Sequence, residues 1–593
     1  MKRCPECRRD YYDDTLLYCL DDGNALLEGP AAAKSEPPAS AGGQSDDGPQ
    51  TAILHSTAAP GEAPTRVQIH TTDQTAILPR GTEAEPRKSL GGLPEKQSFS
   101  ANRAAKPLAA LIVAVVMLVG GFFGYRYFNQ SGSGAINSIA VMPFENRNSD
   151  ADTDYLSDGL AESVIFRLTQ IPDLKVSPTS SVMRYKGKET DVAKIASELG
   201  VDAVMTGRLT KRGDNLNITV ELVDARSNKS LWGEQYERKL SELLTTQREI
   251  VTEIVGKLQL KLSGESENRL ARKYTENDEA YQLFLKGRFY LNKRTEEYLN
   301  KAIEQFKAAV DKDPNFALAY AGLADCYGVL PYYGTVISSD YLPQAKAYAK
   351  RAIAIDESLG EAHISLAIAD FGLWNWAEAE KGFKRGLELS PNYAYGHQWY
   401  GQYLEIHGRY DAALTENKRA QDLDPLSLTI NTDRAMIHLA KGDADSAIEA
   451  CKRSIEIDPN WYAAHRWLAL IYALKGRTSE ALAEAERSVE LSNRHSSTLG
   501  VLGYVLTQTG KRSEALKIAE ELKIAFSKRQ AKGTDVGWTY VGLNEKEEVF
   551  AWLEKDIESR NPTMAVRMRI PPLNSLSEDT RYKDLWERMG LPE

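Results

Sequence analysis

The sequence predicts a multidomain protein: a small metal-binding ribbon, one transmembrane helix, an α/β domain and an all-α solenoid, in that order. Three observations lead to this prediction: a cysteine cluster near the N-terminus, an uncharged apolar run at 107–125, and a 34-residue period in the second half. A chain of 593 residues is too long for one hydrophobic core, so several domains are expected.

The first 28 residues carry the cysteine pattern of a small zinc ribbon. Cys4 and Cys7 form one C-x-x-C knuckle, and Cys19 begins a second one, in which Asp22 replaces the second cysteine. A closed tetrahedral zinc site accepts thiolate and carboxylate ligands, so these four residues are the predicted ligands of a structural zinc ion, with Asp21 as the alternative to Asp22. The pattern resembles short N-terminal zinc ribbons of bacterial membrane proteins that end in a C-x-x-D-G turn.

The charge of residues 1–28 favours a protein partner over nucleic acid for this ribbon. The segment has four cationic and seven acidic side chains, and a net negative charge opposes contact with phosphates. The whole chain, with a formal net charge of −10, gives no further reason to expect nucleic-acid binding.

A linker and a membrane anchor are predicted next. Residues 29–106 are rich in Ala, Pro, Gly, Ser and Thr and have no apolar period, which predicts a disordered linker. Residues 107–125 contain no charge and approach the ~20 residues that cross a bilayer, which predicts a transmembrane helix. Gly120 and Gly124 form a GxxxG pattern that permits self-association, although glycine is common in membrane helices.

Flanking cations predict the orientation of this anchor. Arg126 is the single cation in the 20 residues after the span, whereas the 20 residues before it carry five: Arg87, Lys88, Lys96, Arg103 and Lys106. Because the more cationic flank stays inside, we expect a single-pass protein of the bacterial inner membrane with a cytoplasmic N-terminus and exported C-terminal domains.

Residues 136–262 alternate strand and helix patterns, which predicts an α/β domain. A short apolar run, NSIAVMPF, is typical of a buried strand, and the following helical pattern has a stripe of Leu156, Leu160 and Val164. Two later strand-like runs are joined by KRGDN, a sequence that suits a hairpin turn.

Within this region, IAVMPFENRNSD, YLSDGL, ELGVDAVMTGRL and SLWGEQYER resemble the TolB-like domain found beside tetratricopeptide (TPR) repeats in many bacterial signalling proteins. The resemblance covers nearly all of 138–240. It implies a regulatory role, because relatives join this domain to a winged helix through a membrane span (the CadC-type layout), to kinases or to nucleotide cyclases. The sequence shows no P-loop, kinase, HExxH or GxSxG motif, so no enzyme activity is predicted.

The second half repeats with a period of 34 residues, which is typical of TPR repeats. Alanines recur at this spacing: Ala345, Ala379, Ala413, Ala447, Ala481 and Ala515. The pattern predicts about seven repeats over 279–527, followed by a degenerate TPR hairpin and a C-terminal cap at 534–593. Between Ala302 and Ala345 the spacing is nine residues longer, which predicts an insertion near LPYYGTVIS.

The TPR resemblance implies binding of peptides or partner domains on the face built from the first helix of each repeat. Repeat position predicts seven weak candidates for partner contact: Tyr395, Gln398, Gln402, Glu405, Thr432, Met436 and Arg466. Because the set mixes polar and aromatic side chains, it indicates no single class of ligand.

Other candidate clusters are expected to be structural. Three histidines share one repeat position and should pack between helices, because stacked helices lie too far apart to share one ion: His363, His397 and His465. Cys326 and Cys451 lie in different repeats, with two whole repeats between them, and are predicted to be buried without pairing. Asp158 and Glu162 are expected on an exposed helix face.

These patterns predict a non-enzymatic, membrane-anchored interaction scaffold or signalling receptor. The exported TolB-like and TPR module is expected to bind proteins, and the cytoplasmic zinc ribbon a second partner. The alternative is a membrane-tethered transcriptional regulator of CadC-like layout that acts through the ribbon.

Overall fold

A computed structural model describes the following parts of the chain: residues 2–3, 10–11, 27–28, 136–148, 151–188, 191–260, 262–333 and 338–591. The chain divides into two compact units, one formed by 1–29 with 134–593 and the other by 30–133. The predicted zinc ligands, the linker and the predicted transmembrane helix with Gly120 and Gly124 lie outside the described residues. Within the described ranges, no helix is both long and apolar enough to span a bilayer.

Three short strands form an antiparallel sheet near the N-terminus. They are β1 (Lys2–Arg3), β2 (Asp10–Tyr11) and β3 (Leu27–Glu28). The central strand β1 pairs with both of the others.

The described residues of the α/β domain form six strands and four helices. The strands are β4 (Ser138–Val141), β5 (Glu145–Asn146), β6 (Lys175–Val176), β7 (Ala203–Arg212), β8 (Asn215–Asp224) and β9 (Lys229–Lys239). The helices are α1 (Ala151–Thr169), α2 (Thr179–Val182), α3 (Val192–Leu199) and α4 (Leu243–Lys257).

The sheet combines parallel and antiparallel pairing. Its order is β6-β4-β7-β8-β9; β4 pairs in parallel with β6 and β7, while β7, β8 and β9 form an antiparallel meander. Gly213 takes a φ of +59° in the turn between β7 and β8, a conformation that glycine adopts without a Cβ clash. The buried stripe of α1, with Leu156, Leu160 and Val164 fully buried, covers the sheet as the helical pattern predicts.

The remaining described chain is helical. After α5 (Gly264–Ala271), eight helix pairs follow, and their first helices are α6 (Asp278–Leu291), α8 (Ala317–Tyr333), α10 (Gly360–Gly372), α12 (Ala394–Ile406), α14 (Leu428–Lys441), α16 (Tyr462–Leu474), α18 (Ser496–Gln508) and α20 (Gly533–Leu543). Their second helices are α7 (Glu296–Lys312), α9 (Ser338–Ile355), α11 (Trp376–Leu389), α13 (Tyr410–Leu423), α15 (Ala444–Ile457), α17 (Thr478–Leu491), α19 (Arg512–Ser527) and α21 (Lys546–Glu558).

The 34-residue period has a direct structural basis. Every alanine of the series from Ala345 to Ala515 is fully buried on a second helix, where a small side chain permits close helix packing. The insertion of nine residues lengthens α8 and α9 to 17 and 18 residues, whereas α10 and α11 have 13 and 14. The predicted order, an α/β domain followed by an all-α TPR region, is confirmed.

The chain continues beyond the last helix pair. The C-terminal segment, defined here as residues 562–591, contains α22 (Met564–Arg569), a 3-10 turn (Leu573–Leu576) and α23 (Thr580–Arg588). Met564, Met568 and Leu573 are fully buried, so this segment is packed against the solenoid.

Candidate protein-binding face

The predicted partner-binding residues lie on three first helices of the solenoid, α12, α14 and α16. Neighbouring first helices contact one another along the array, and we call the surface that they form the inner face. The structure brings the seven candidates together on this face, but it buries most of them. Tyr395 and Gln402 are half-buried and the others are buried: Gln398, Glu405, Thr432, Met436 and Arg466.

An acidic pair occupies the middle of the inner face. The Gln398 and Gln402 side chains each donate a hydrogen bond to Asp433 Oδ2, at 2.7 and 2.8 Å. Glu405 is 0% exposed, and neither of its carboxylate oxygens has a hydrogen-bond partner in the described structure. Burial raises the pKa of Asp433 to about 6, and burial together with the Asp433 carboxylate raises the pKa of Glu405 well above its ordinary value.

The C-terminal segment covers this part of the inner face. The Arg567 guanidinium lies 5.7 Å from the Trp467 ring and 5.2 Å from the Trp538 ring, on α16 and α20. The Arg569 Nε donates to the Ile406 carbonyl at the end of α12, at 2.8 Å. The first helices are therefore closed off by the chain itself in this region.

Arg466 lies in the same covered region. It is buried with its guanidinium 4.6 Å from the Trp467 ring, and its Nε has no hydrogen-bond partner in the described structure. Burial and the nearby Arg567 charge lower the pKa of Arg466 to about 10. Asp535, 3.8 Å from Arg567, is the carboxylate placed between these cations.

Helix α1 of the α/β domain packs against the other end of the solenoid, on α6. Glu162 accepts hydrogen bonds from Arg288 Nε at 2.6 Å and from Asn292 Nδ2 at 2.7 Å. Asp158 accepts one from Lys186 Nζ at 2.7 Å. The prediction that Asp158 and Glu162 lie on an exposed face is wrong, because α1 is covered by the sheet on one side and by α6 on the other.

A small cavity of about 70 Å³ lies in this contact between α1 and the first helices. Buried charged groups line it: Glu162, Arg167, Arg288, Asp325 and Glu361. Burial raises the pKa values of Asp325 and Glu361, and burial lowers the pKa of Arg167. Hydrogen bonds cross the contact here from Arg288 to Glu162 and from Gln170 to Glu361, so the lining couples the two domains.

The α/β domain also docks on the turns between successive helix pairs. Asn392 Nδ2 donates to the carbonyls of Ile171, Pro172 and Leu174, at 2.9–3.2 Å. One repeat later, Asp424 accepts hydrogen bonds from Ser180 and Ser181. Two repeats after Asn392, the Ile457 carbonyl accepts one from Arg184 at 2.9 Å. These contacts fix the domain along three consecutive repeats.

The histidines and cysteines have structural roles, as predicted. His397 Nδ1 lies 2.6 Å from Glu416, and His465 Nδ1 lies 2.6 Å from Glu484, so each imidazole joins the two helices of one pair. Cys326 and Cys451 are free and fully buried, and burial raises the pKa of both thiols. Within the described ranges, no group of three or more His, Cys, Asp or Glu side chains is arranged to hold a metal ion.

Comparison with known proteins assigns families to two parts of the chain. Residues 135–253 match the family model "HilA/YgeH-like transcriptional regulator, second domain". Residues 364–427, 408–461 and 432–495 match a tetratricopeptide-repeat model.

Two curated relatives extend this similarity. The chain is 32% identical over 246 residues to putative adenylate cyclase 3 of Rhizobium meliloti, covering 41% of this chain and 42% of the relative. It is 22% identical over 294 residues to the transcriptional regulator HilA of Salmonella typhimurium, covering 49% and 51%. The chain thus spans about half or less of the curated relatives it matches.

Solved structures match the chain at low similarity. Pseudomonas aeruginosa PilF matches at 18% identity and a TM-score of 0.29, covering 35% of this chain and 94% of PilF. An IFIT1 monomeric mutant matches at 17% identity and a TM-score of 0.39, covering 58% and 76%. Neither supports an inference about function. What the comparisons establish is a HilA/YgeH-like second domain followed by TPR repeats.

Proposed function

We propose that this protein is a transcriptional regulator of the HilA type, in which the α/β domain and the TPR solenoid form one protein-binding regulatory module. The main support for this proposal is the match of residues 135–253 to the second domain of HilA/YgeH-like regulators. The extensive docking of this domain on the solenoid supports a single module, because a signal received by the repeats reaches the α/β domain through shared contacts.

We assign the effect of the regulator on transcription to its N-terminal residues. Cys4, Cys7, Cys19 and Asp22 are proposed to hold a structural zinc ion, because this set has the spacing and donor types of a closed ribbon site. Residues 107–125 are proposed to anchor the chain in the inner membrane, with the TPR module outside. Transcription is then changed by the ribbon and its cytoplasmic target, and no catalytic step is required.

The test compares transcript levels in cells that carry the wild-type protein and cells that carry the Cys4→Ser/Cys7→Ser variant at the native locus. We expect a defined set of transcripts to lose regulation in the variant, with the wild-type protein cross-linked to DNA at those promoters. Protein level and exposure of the C-terminal half to added protease are measured in parallel, so that degradation and mislocalisation are recognised. If transcript levels were unchanged in the variant at a normal protein level, the proposed regulatory function would be refuted and the interaction scaffold favoured.

A further inference from the structure

The C-terminal segment occupies the inner face in the manner of a bound peptide. Its Arg567 side chain is buried against two tryptophan rings of different repeats, Trp467 and Trp538, which also contact each other edge to face, with Asp535 3.8 Å away. Aromatic faces with a nearby carboxylate are a common receptor for a guanidinium, which stacks on rings and is weakly hydrated.

Two further contacts hold the segment across the array. Arg569 Nε donates to the Ile406 carbonyl at 2.8 Å, and its guanidinium stacks 4.4 Å from the Trp586 ring of the same segment. Near the end of the segment, the Met589 carbonyl accepts a hydrogen bond from Trp376 Nε1 at 2.6 Å. The segment therefore bridges second helix α11 and first helices α12, α16 and α20.

The contact leaves buried polar groups of the inner face without partners. Both Glu405 oxygens, Arg466 Nε and Trp538 Nε1 have no hydrogen-bond partner in the described structure. Buried polar groups are nearly always paired in native proteins, and leaving one unpaired costs free energy. The segment is thus an incomplete ligand for the surface that it covers.

We propose that residues 562–591 are an internal ligand of the inner face, displaced by a protein segment that carries arginine side chains. The incoming arginine takes the place of Arg567 against Trp467 and Trp538, and a second basic side chain reaches the unpaired Glu405 carboxylate. A basic segment that pairs Glu405 therefore gains a contact that the internal segment does not make. This inference rests on the protein-binding role proposed above and identifies the class of partner and its control.

The experiment measures binding of a labelled synthetic peptide of residues 562–591 to the purified full-length chain by fluorescence anisotropy. The wild-type chain is expected to bind it weakly, because its own segment occupies the inner face. Loosening that segment with Arg567→Gln/Arg569→Gln is expected to tighten peptide binding at least tenfold. A peptide with both arginines changed to Gln is expected not to bind, and Lys583→Gln, at an exposed lysine paired with Glu578 of the same segment, serves as the matched control chain.

Trp376→Phe is the second variant, because it removes one hydrogen bond to the segment and keeps an aromatic ring at this buried position. It is expected to tighten peptide binding several-fold even if the double variant does not fold. The proposal is overturned if the folded variants bind the peptide no more tightly than the wild type. It is also overturned, in favour of a second copy as occupant, if the loosened chain dimerises in sedimentation and binds no added peptide. Because no DNA or cell is involved, this result is independent of the transcript test.

Discussion

The contact between α1 of the α/β domain and α6 of the solenoid includes a buried ion pair, and this pair allows a quantitative test. Glu162 on α1 accepts hydrogen bonds from Arg288 and Asn292 on and after α6, and its side chain is 6% exposed. The change Glu162→Ala removes the carboxylate and leaves the Arg288 guanidinium buried without its principal partner.

The free-energy cost of Glu162→Ala follows from the surroundings of Arg288. Breaking a buried pair by removing one partner costs about 3–5 kcal/mol. Arg288 keeps Asp325 at 3.8 Å and is 28% exposed, so the lower end applies, about 3 kcal/mol. Since each 1.4 kcal/mol is a factor of ten, hydrogen exchange of amides protected by this contact is expected to be about 100-fold faster.

The assay is native-state hydrogen exchange followed by mass spectrometry, with peptides from α1 and α6 compared with peptides from α16 and α17. We expect acceleration in the first pair and little change in the second, because the latter helices do not contact α1. Glu297→Ala is the control, since Glu297 forms an exposed ion pair with Lys301 at the similar distance of 2.6 Å; no change in exchange is expected. Acceleration below tenfold, or equal acceleration in all four helices, would contradict the reasoning.

Three further predictions concern titration and zinc. Glu405→Gln is expected to raise the thermal unfolding midpoint at pH 8 and to leave it unchanged at pH 4. Burial and the Asp433 carboxylate raise the pKa of Glu405 above its ordinary 4.5, so the folding stability of the wild-type protein falls as pH rises beyond 4.5. His465→Gln is expected to lower the thermal unfolding midpoint at pH 5.5 and to lower it less at pH 9. The reason is that the hydrogen bond with Glu484 raises the pKa of His465, and this stabilisation is lost as pH rises through the raised pKa. If the variant midpoint were lower by the same amount at both pH values, this role of His465 would be refuted. Asp22→Ala in the full-length chain is expected to weaken zinc affinity at least tenfold, as measured by chelator competition. Unaltered affinity would mean that Asp21 or water is the fourth zinc ligand.

The repeat architecture could be predicted from the sequence because it depends on local, periodic side chains. The 34-residue alanine series marks positions where two helices approach closely, and each alanine is fully buried. The histidine series was predictable for the same reason: in two of three repeats an imidazole meets a glutamate on the second helix of its own pair. In the remaining repeat the glutamate position is Gly382, and His363 keeps the contact that all three histidines make with the carbonyl six residues earlier, here that of Glu357.

The covering of the inner face could not be predicted in this way. Repeat position correctly places Gln398 and Glu405 on the first helices, but it contains no information about what packs over them. That depends on contacts between residues far apart in the chain, such as Arg569 with Ile406 and Trp376 with Met589. A signal was present in the C-terminal segment: its alternation of arginines with Met and Ile in VRMRI is unusual for a polar cap, and it is buried.

The burial of Glu162 has a comparable explanation. Helical periodicity predicts one buried stripe on α1, through Leu156, Leu160 and Val164, and therefore an exposed opposite face. In the structure α1 lies between the sheet and α6, so its second face is buried as well. Glu162 is paired across the contact with Arg288, and Asp158 is paired with Lys186 of the α/β domain itself. A helix that is buried on two sides requires a partner for every charge on its buried faces. Partners that lie far away in the chain produce no periodic pattern in the sequence, so they could not be predicted.

Both ends of the solenoid are covered by the chain's own elements, α1 at the first repeats and the C-terminal segment at the later ones. Both contacts leave buried polar atoms unpaired in the described structure, Asp158 Oδ1 and Glu361 Oε2 at α1 among them, but they differ in their central carboxylate. Glu162 at α1 is paired through both oxygens, whereas neither oxygen of Glu405 beneath the C-terminal segment has a partner. Since displacement is easier where buried groups gain partners on exchange, the C-terminal cover is the one expected to open. The α1 contact then remains in place and relays the change in the solenoid to the α/β domain.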